Sequence, residues 1–378
     1  MTPAAGSPLT QRRHTRSVPV GPVRIGAGAP ISVQSMTNTD THDAEATIEQ
    51  VAALHAAGAD IVRVGVPDAD AVEPLKRIVA GASVPIVADV HFDHRLAIAA
   101  AEAGAAKLRI NPGNIGGRAK TQEVARAAAA RGAAIRVGVN AGSLERGLRE
   151  KHGGSVPAAL VESAADAVAM LEDADFRDVV VSIKAPDVPT MVEATVGFAK
   201  QSDCPLHLGV TEAGLPGAGA IKSAVGIGAL LAQGIGDTIR VSLTGDPCEE
   251  VRIGRRILQA LGLRTGPDLI SCPTCTRCRI DVEPLARQVW AAIQDLPVPI
   301  RVAVMGCEVN GPGEARDADV GIAGGKGFGL LFRRGEVVRR VKSGEMASAL
   351  LTEVEAFVAS TAASTEGAGQ GGSTDDCS

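Results

Sequence analysis

Short apolar runs alternate with longer, Ala-rich stretches of helical period over the first two-thirds of the chain. The runs fall at 31–36, 61–66, 85–90, 107–110, 134–139, 178–183, 206–210 and 238–243. Helical patterns follow each of them, at 43–57, 71–80, 94–103, 119–131, 157–172, 188–200, 218–233 and 247–262. Eight strand–helix units in succession predict a (β/α)8 TIM-like barrel, with an open doubly wound sheet as the alternative. Asp43 stands before the first helix and Pro157 suits a first-turn position, while Gly58 and Gly104 sit where helices should stop.

Beyond 262 the alternation breaks. Residues 263–271 read as a linker, and a smaller α+β domain follows. It comprises a Cys-rich turn at 272–278, a helix at 281–295, a strand at 299–305, a Gly/Pro loop at 306–314, strands at 318–323 and 328–332, and a helix at 344–359. The expected layout is a flexible arm over 1–18, the barrel over 19–265, the second domain over 266–360 and a Gly/Ser/Thr-rich disordered tail over 361–378.

Composition narrows the function classes. Of 378 residues only 2% are aromatic, so small aliphatic side chains must fill the core, as buried parallel strands allow. The net charge of −5 argues against general nucleic-acid binding. No run is long enough to span a bilayer, and the N-terminal stretch lacks an apolar signal core. A cytoplasmic protein is expected, with Arg12, Arg13 and Arg16 in a solvated arm.

The strands themselves carry charge. Arg63, Asp89 with His91, Arg109 with Asn111, Arg136 with Asn140, Ser182 with Lys184, His207 with Thr211, and Arg240 with Ser242 and Thr244 lie in or just past the apolar runs. Several pairs keep the i, i+2 spacing that places both side chains on one face of a strand. An unpaired cation in a dry barrel costs several kcal/mol. These groups must therefore face a ligand at the C-terminal mouth, or pair with carboxylates such as Asp60, Asp89 or Glu212. Arg63, Arg109, Arg136, Lys184 and Arg240 together point to a polyanion, and Arg suits phosphate. The loop from Asn111 to Gly117 offers backbone N–H donors to the same anion.

Seven cysteines lie at 204, 248, 272, 275, 278, 307 and 377, and the odd count argues for a metal site over disulfides. Cys204 and Cys248 read as packed small hydrophobes. Cys272 and Cys275 form a C-x2-C turn, Cys307 lies in a Gly/Pro loop, and Glu314 closes that loop. Three readings remain open on spacing alone. They are an iron–sulfur cluster on three cysteines and an oxygen ligand, a structural zinc on four cysteines including Cys278, and unmetallated thiols.

Seven segments carry a resemblance. They are Gln34-Ser-Met-Thr-Asn-Thr39, Ala88-Asp-Val-His-Phe-Asp-His-Arg95, Leu108-Arg-Ile-Asn-Pro-Gly-Asn-Ile-Gly116, His207-Leu-Gly-Val-Thr-Glu-Ala-Gly214, Gly234-Ile-Gly-Asp-Thr-Ile-Arg-Val-Ser242, Ser271-Cys-Pro-Thr-Cys275 and Gly306-Cys-Glu-Val-Asn-Gly-Pro-Gly-Glu314. Over about residues 15–358 the chain resembles the 4-hydroxy-3-methylbut-2-enyl diphosphate synthases, in their bacterial two-domain form. The resemblance implies an iron–sulfur oxidoreductase of the non-mevalonate isoprenoid pathway. It implies reductive ring opening and dehydration of 2-C-methyl-D-erythritol 2,4-cyclodiphosphate, with electrons from flavodoxin or ferredoxin. It implies a [4Fe–4S] cluster on Cys272, Cys275, Cys307 and Glu314, and a head-to-tail homodimer. Arg63, His91, Arg109, Asn111, Arg136, Asn140, Ser182, Lys184, His207, Arg240 and Ser242 are then the expected substrate contacts. Glu212 is the expected proton donor, and Glu314 an exchangeable cluster ligand. A cysteine at 278 departs from the family's usual pattern.

Overall fold

A computed structural model describes residues 11–144, 147–308, 313 and 315–367. These residues form two compact units, one ending at Arg264 and the other beginning at Thr265.

The first unit opens with a hairpin, β1 (Val18–Val20) and β2 (Val23–Ile25), paired antiparallel. Eight parallel strands follow: β3 (Ser32–Met36), β4 (Ile61–Gly65), β5 (Ile86–Asp89), β6 (Lys107–Ile110), β7 (Ala134–Asn140), β8 (Val179–Lys184), β9 (His207–Leu208) and β10 (Thr238–Ile239). Each pairs with the next from β3 to β8, β10 pairs with both β3 and β9, and a Val181–Leu206 bridge joins β8 to the approach to β9. The barrel is therefore closed, as the alternation predicted.

Between the strands run α1 (Ala44–Ala56), α2 (Val72–Gly81), α3 (His94–Glu102), α4 (Arg118–Arg131), α5 (Leu148–Lys151), α6 (Val156–Glu172), α7 (Val188–Ala199) and α8 (Pro216–Leu231), and α9 (Pro247–Ala260) follows β10. Side-chain caps fix where helices begin. Asp43 accepts from Ala46 N–H, Asp187 from Thr190 N–H and Asp246 from Cys248 N–H, each satisfying a donor the helix leaves orphaned. Gly58 and Gly104 follow α1 and α3 with φ of +100° and +94°, left-handed stops that glycine adopts without strain.

Two apolar layers hold the barrel. The outward residues of the strands, such as Val62, Leu108, Ile110, Ile135 and Val181, pack against the helices. At the strands' N-terminal ends Val18, Val20 and Ile25 of the hairpin pack on Ile61, Val87, Ala134 and Val180. The hairpin closes the barrel floor, so polar groups higher in the interior are sealed from water below.

Arg12, Arg13 and Arg16 are not the solvated arm that their charge suggested. Arg12 pairs with buried Asp237 at 2.7 Å, Arg13 donates to the Cys204 carbonyl at 2.6 Å, and Arg16 pairs with Glu172 and Asp203. Backbone bonds from Arg13 N–H to the Gly234 carbonyl and from Arg16 N–H to the Asp203 carbonyl lash the segment down. Cys204 is buried and Cys248 packs against the barrel core, as small hydrophobes do.

The second unit is a five-stranded sheet in sequential order: β11 (Asp268–Ser271), β12 (Arg301–Met305), β13 (Val320–Gly325), β14 (Phe328–Arg333) and β15 (Glu336–Lys342). The first three strands are parallel and the last two pair antiparallel. Helix α10 (Val282–Ile293) and helix α11 (Met346–Gly367) share its core, with Val289, Ile293, Leu350 and Val354 packed on Val302, Val304 and Ile322. Two expectations change. Residues 268–271 of the expected linker are a strand, and the last helix continues to Gly367, while the rest of the expected tail, 368–378, lies outside the described residues.

Candidate active site

The period of two along the strands decides what fills the barrel. On β6, Leu108 and Ile110 face the helices, so Lys107 and Arg109 face inward. By the same alternation Arg63 on β4, Asp89 on β5, Arg136 on β7, Ser182 and Lys184 on β8, and His207 on β9 face inward. A typical barrel stacks branched aliphatic side chains there. In this barrel charged groups replace them above the hairpin floor.

The charges are unbalanced. Asp89 Oδ1 accepts from Arg109 Nη1 at 3.2 Å, and Asp89 Oδ2 lies 3.7 Å from Arg63 Nε and 3.2 Å from His91 Nε2. Burial pushes the Asp89 carboxyl up, but Arg63, His91 and Arg109 outweigh it and hold the group well below the usual carboxylate range. Arg63 also donates to the Met36 thioether at 2.8 Å from Nη2. Arg240 meets Glu250 of α9 at 3.4 Å, and Glu250 further accepts from Ser35 Oγ and from Leu243 N–H. Three of the five expected cations thus have carboxylate partners. These are Asp89 and Glu250, while Asp60 instead pairs with Arg264.

Arg136 is different. It is fully buried, and none of its three guanidinium nitrogens has a partner among the described residues. The same holds for Lys107 Nζ and both ring nitrogens of His207. Burial, reinforced by neighbouring cations, pushes the pKa values of Lys107, Arg136, Lys184 and His207 downward, and Arg63 is brought down to about 10. Orphaned buried donors cost free energy unless something accepts from them. An anion in the barrel would accept from these donors and favour the charged forms of the cations, so the donor set fits a phosphate-type ligand.

The remaining expected contacts ring the strand ends. Asn111 and Asn140 use their side-chain oxygens to accept from Gly113 N–H and Gly142 N–H, shaping the turns after β6 and β7. Ser182 Oγ donates to the Val137 carbonyl at 3.3 Å, and Ser242 is partly buried after β10. His91 is half exposed beside Asp89. Glu212 is exposed on the turn after β9 with φ of +52°, a left-handed conformation sparsely populated by residues other than glycine. Strain of this kind, about 1–3 kcal/mol, accumulates at functional loops. Lys107 is the inward-facing cation that sequence reading passed over. It stands two residues before Arg109, and the alternation that selected Arg109 selects it equally.

In the second unit Cys272 follows β11 and Cys307 lies two residues past β12, at the same end of two paired parallel strands. Gly306 N–H donates to Cys272 Sγ at 3.0 Å. Hydrogen bonds to sulfur of this kind tune the reduction potential of iron–sulfur clusters. Cys275 is exposed, and its thiol is pushed down by N–H donation from the Arg277 backbone and side chain. Cysteine sulfur is the donor type that iron–sulfur and zinc sites use, but among the described residues no three metal-binding side chains gather at one point. Glu314 lies outside the described residues. An open groove of about 400 Å³ runs beside Cys272, and Trp290 forms part of its wall.

A closed barrel with buried cations inside it, Lys107 and Arg136 among them without partners among the described residues, joined in one chain to a thiol-bearing α+β domain, defines a two-domain barrel protein suited to an anionic ligand. The chain belongs to the GcpE family. Residues 15–255 match the GcpE TIM-barrel domain and residues 268–356 match the GcpE protein C-terminal domain. Relatives named 4-hydroxy-3-methylbut-2-en-1-yl diphosphate synthase (flavodoxin) align over nearly the whole chain. The protein of Symbiobacterium thermophilum is 56% identical over 92% of this chain and 94% of its own. That of Geobacter sulfurreducens is 54% identical over 92% of this chain and 99% of its own. That of Nitratidesulfovibrio vulgaris is 53% identical over 93% and 92% respectively.

Proposed function

We propose that this chain is a flavodoxin-dependent 4-hydroxy-3-methylbut-2-enyl diphosphate synthase, which converts 2-C-methyl-D-erythritol 2,4-cyclodiphosphate to the linear allylic diphosphate. The observation that carries the reading is the fully buried, unpartnered Arg136 guanidinium in a barrel interior crowded with cations. A polyanionic ligand makes that arrangement favourable, because it accepts from the orphaned donors and offsets their charge.

The diphosphate sits on Arg63, Lys107, Arg109, Arg136, Lys184 and Arg240, with Asn111, Asn140, Ser182, His207 and Ser242 around it. Asp89 does not bind the anion; it fixes the directions of Arg63 and Arg109, so binding begins from an ordered site. His207, neutral through burial, donates one ring N–H. Glu212, on its strained turn, delivers the proton to the departing hydroxyl. A [4Fe–4S] cluster held by Cys272, Cys275, Cys307 and Glu314 supplies the two electrons when bound. A head-to-tail homodimer, flavodoxin or ferredoxin as donor, and a cytoplasmic location complete the reading.

The alternative is a phosphate-binding barrel with a structural zinc in the C-terminal domain, on four cysteines including Cys278. Metal and sulfide analysis of the full chain, purified without oxygen, separates the two. Iron and acid-labile sulfide in equal amounts, lost in Cys307→Ser, support the synthase. Zinc without iron overturns it.

A further inference from the structure

Cys278 belongs to neither the expected cluster ligands nor the barrel, yet it lies against the cluster loop. A β-carbon on residue 306 would overlap Cys278 Sγ and stand 3.3 Å from Cys272 Sγ. The two sulfurs therefore flank one point, less than about 6 Å apart, which makes them neighbours across Gly306. The loop is pinned in that position. Arg279 N–H donates to the Gly306 carbonyl at 2.8 Å, Cys278 N–H donates to the Cys275 carbonyl at 2.9 Å, and the Cys278 thiol donates to the Ile280 carbonyl at 3.2 Å. Both sulfurs also pack on the core of the second unit. Cys275 is exposed, and no group of three metal-binding side chains gathers with this pair among the described residues.

We infer that Cys272 and Cys278 form a disulfide in the metal-free chain, which removes a cluster ligand and makes cluster loading conditional on thiol reduction. The second half rests on the cluster reading above; the disulfide itself does not. With hydrogen peroxide as oxidant, one thiolate attacks the peroxide, breaks its O–O bond and becomes a sulfenic acid, releasing water. The other thiol then displaces a second water and the S–S bond forms. Two thiols lose two electrons and two protons, and one peroxide becomes two waters. A dithiol reverses the step by exchange. Metal-bound Cys272 is engaged as a thiolate ligand, so the switch acts before loading or after cluster loss.

The sequence makes the test clean. Arg277 separates Cys275 from Cys278, so trypsin releases Cys272 and Cys275 on one peptide and Cys278 on the next. The full chain, stripped of metal by a chelator and fully reduced, is treated with one equivalent of peroxide and mapped without reductant. The expected product is a chain lighter by two hydrogen atoms, with the two peptides joined. The joint should persist in Cys275→Ala and vanish in Cys278→Ala. A bond between Cys272 and Cys275, or free thiols throughout, overturns the inference. In the loading arm, oxidised wild type should take up iron and sulfide only after dithiothreitol, whereas Cys278→Ala loads without it. If the joined peptides appear but oxidised wild type loads iron unaided, the gate is overturned and the disulfide stands. If neither protein loads iron under any condition, the cluster reading fails while the mapped disulfide still stands.

Discussion

The Arg109 guanidinium lies across Gly138 of the neighbouring strand, where an added β-carbon would come within 2.9 Å of its Nε. That bare stretch of β7 lets Arg109 reach Asp89. Gly138→Ala moves a flexible side chain, not backbone, so the melting temperature should change by only a few degrees. Arg109 should be displaced, weakening binding of the cyclic diphosphate by about tenfold, the value of one charged contact. Calorimetric titration checks it; unchanged affinity removes Arg109 from the site.

Asp89→Asn withdraws the carboxylate shared by Arg63 and Arg109. Breaking a buried pair by deleting one partner costs about 3–5 kcal/mol. The variant should unfold at markedly lower denaturant, and the cyclic diphosphate should stabilise it more than it stabilises wild type, because the anion replaces the missing charge.

Lys107→Met should act with opposite signs on fold and function. Replacing an unpaired buried amine by an apolar chain of similar length should raise stability of the ligand-free protein by about 1–3 kcal/mol. Affinity for the diphosphate should fall, since the variant lacks the Lys107 amine as a donor to the anion. Denaturant midpoints and titration calorimetry read the two effects separately.

His207 is held neutral by burial, then by Arg136, Lys184 and Lys107. Its folded pKa lies below the value near 6.5 of the unfolded chain, so below that pH the unfolded chain binds more protons. Stability should decline as pH falls below about 6.5, by up to about 1.4 kcal/mol per unit for this group. His207→Gln should flatten the decline, seen in denaturant midpoints from pH 7.5 to 5.

Much of this was readable in the sequence, because the barrel repeats one unit whose strands are apolar and whose helices are capped. The hairpin Val18–Ile25 was not, since two three-residue strands around a turn leave no period to detect. Strand β15 was missed because all its residues but Val341 are exposed or polar at a sheet edge. The inward cations were legible from i, i+2 spacing, but their partners were divided between a strand and a distant helix. Asp89 was visible two residues from His91, whereas Glu250 looked like any acidic residue in the first turn of α9. Arg12 looked solvated because nothing local shows that Asp237 waits for it 225 positions away. The pairing of Cys272 with Cys278 across Gly306 needed the strand register as well as the cysteine spacing.

The central claim is that this cation-lined barrel and its thiol domain together open a cyclic diphosphate reductively. The direct measurement is phosphorus NMR of 2-C-methyl-D-erythritol 2,4-cyclodiphosphate incubated without oxygen with the iron-loaded full chain and reduced flavodoxin. The account predicts that the cyclic signals give way to those of a linear diphosphate, and that Arg136→Met stops the conversion while leaving the iron content intact. Cyclic diphosphate that persists unchanged beside fully loaded, reduced protein contradicts it.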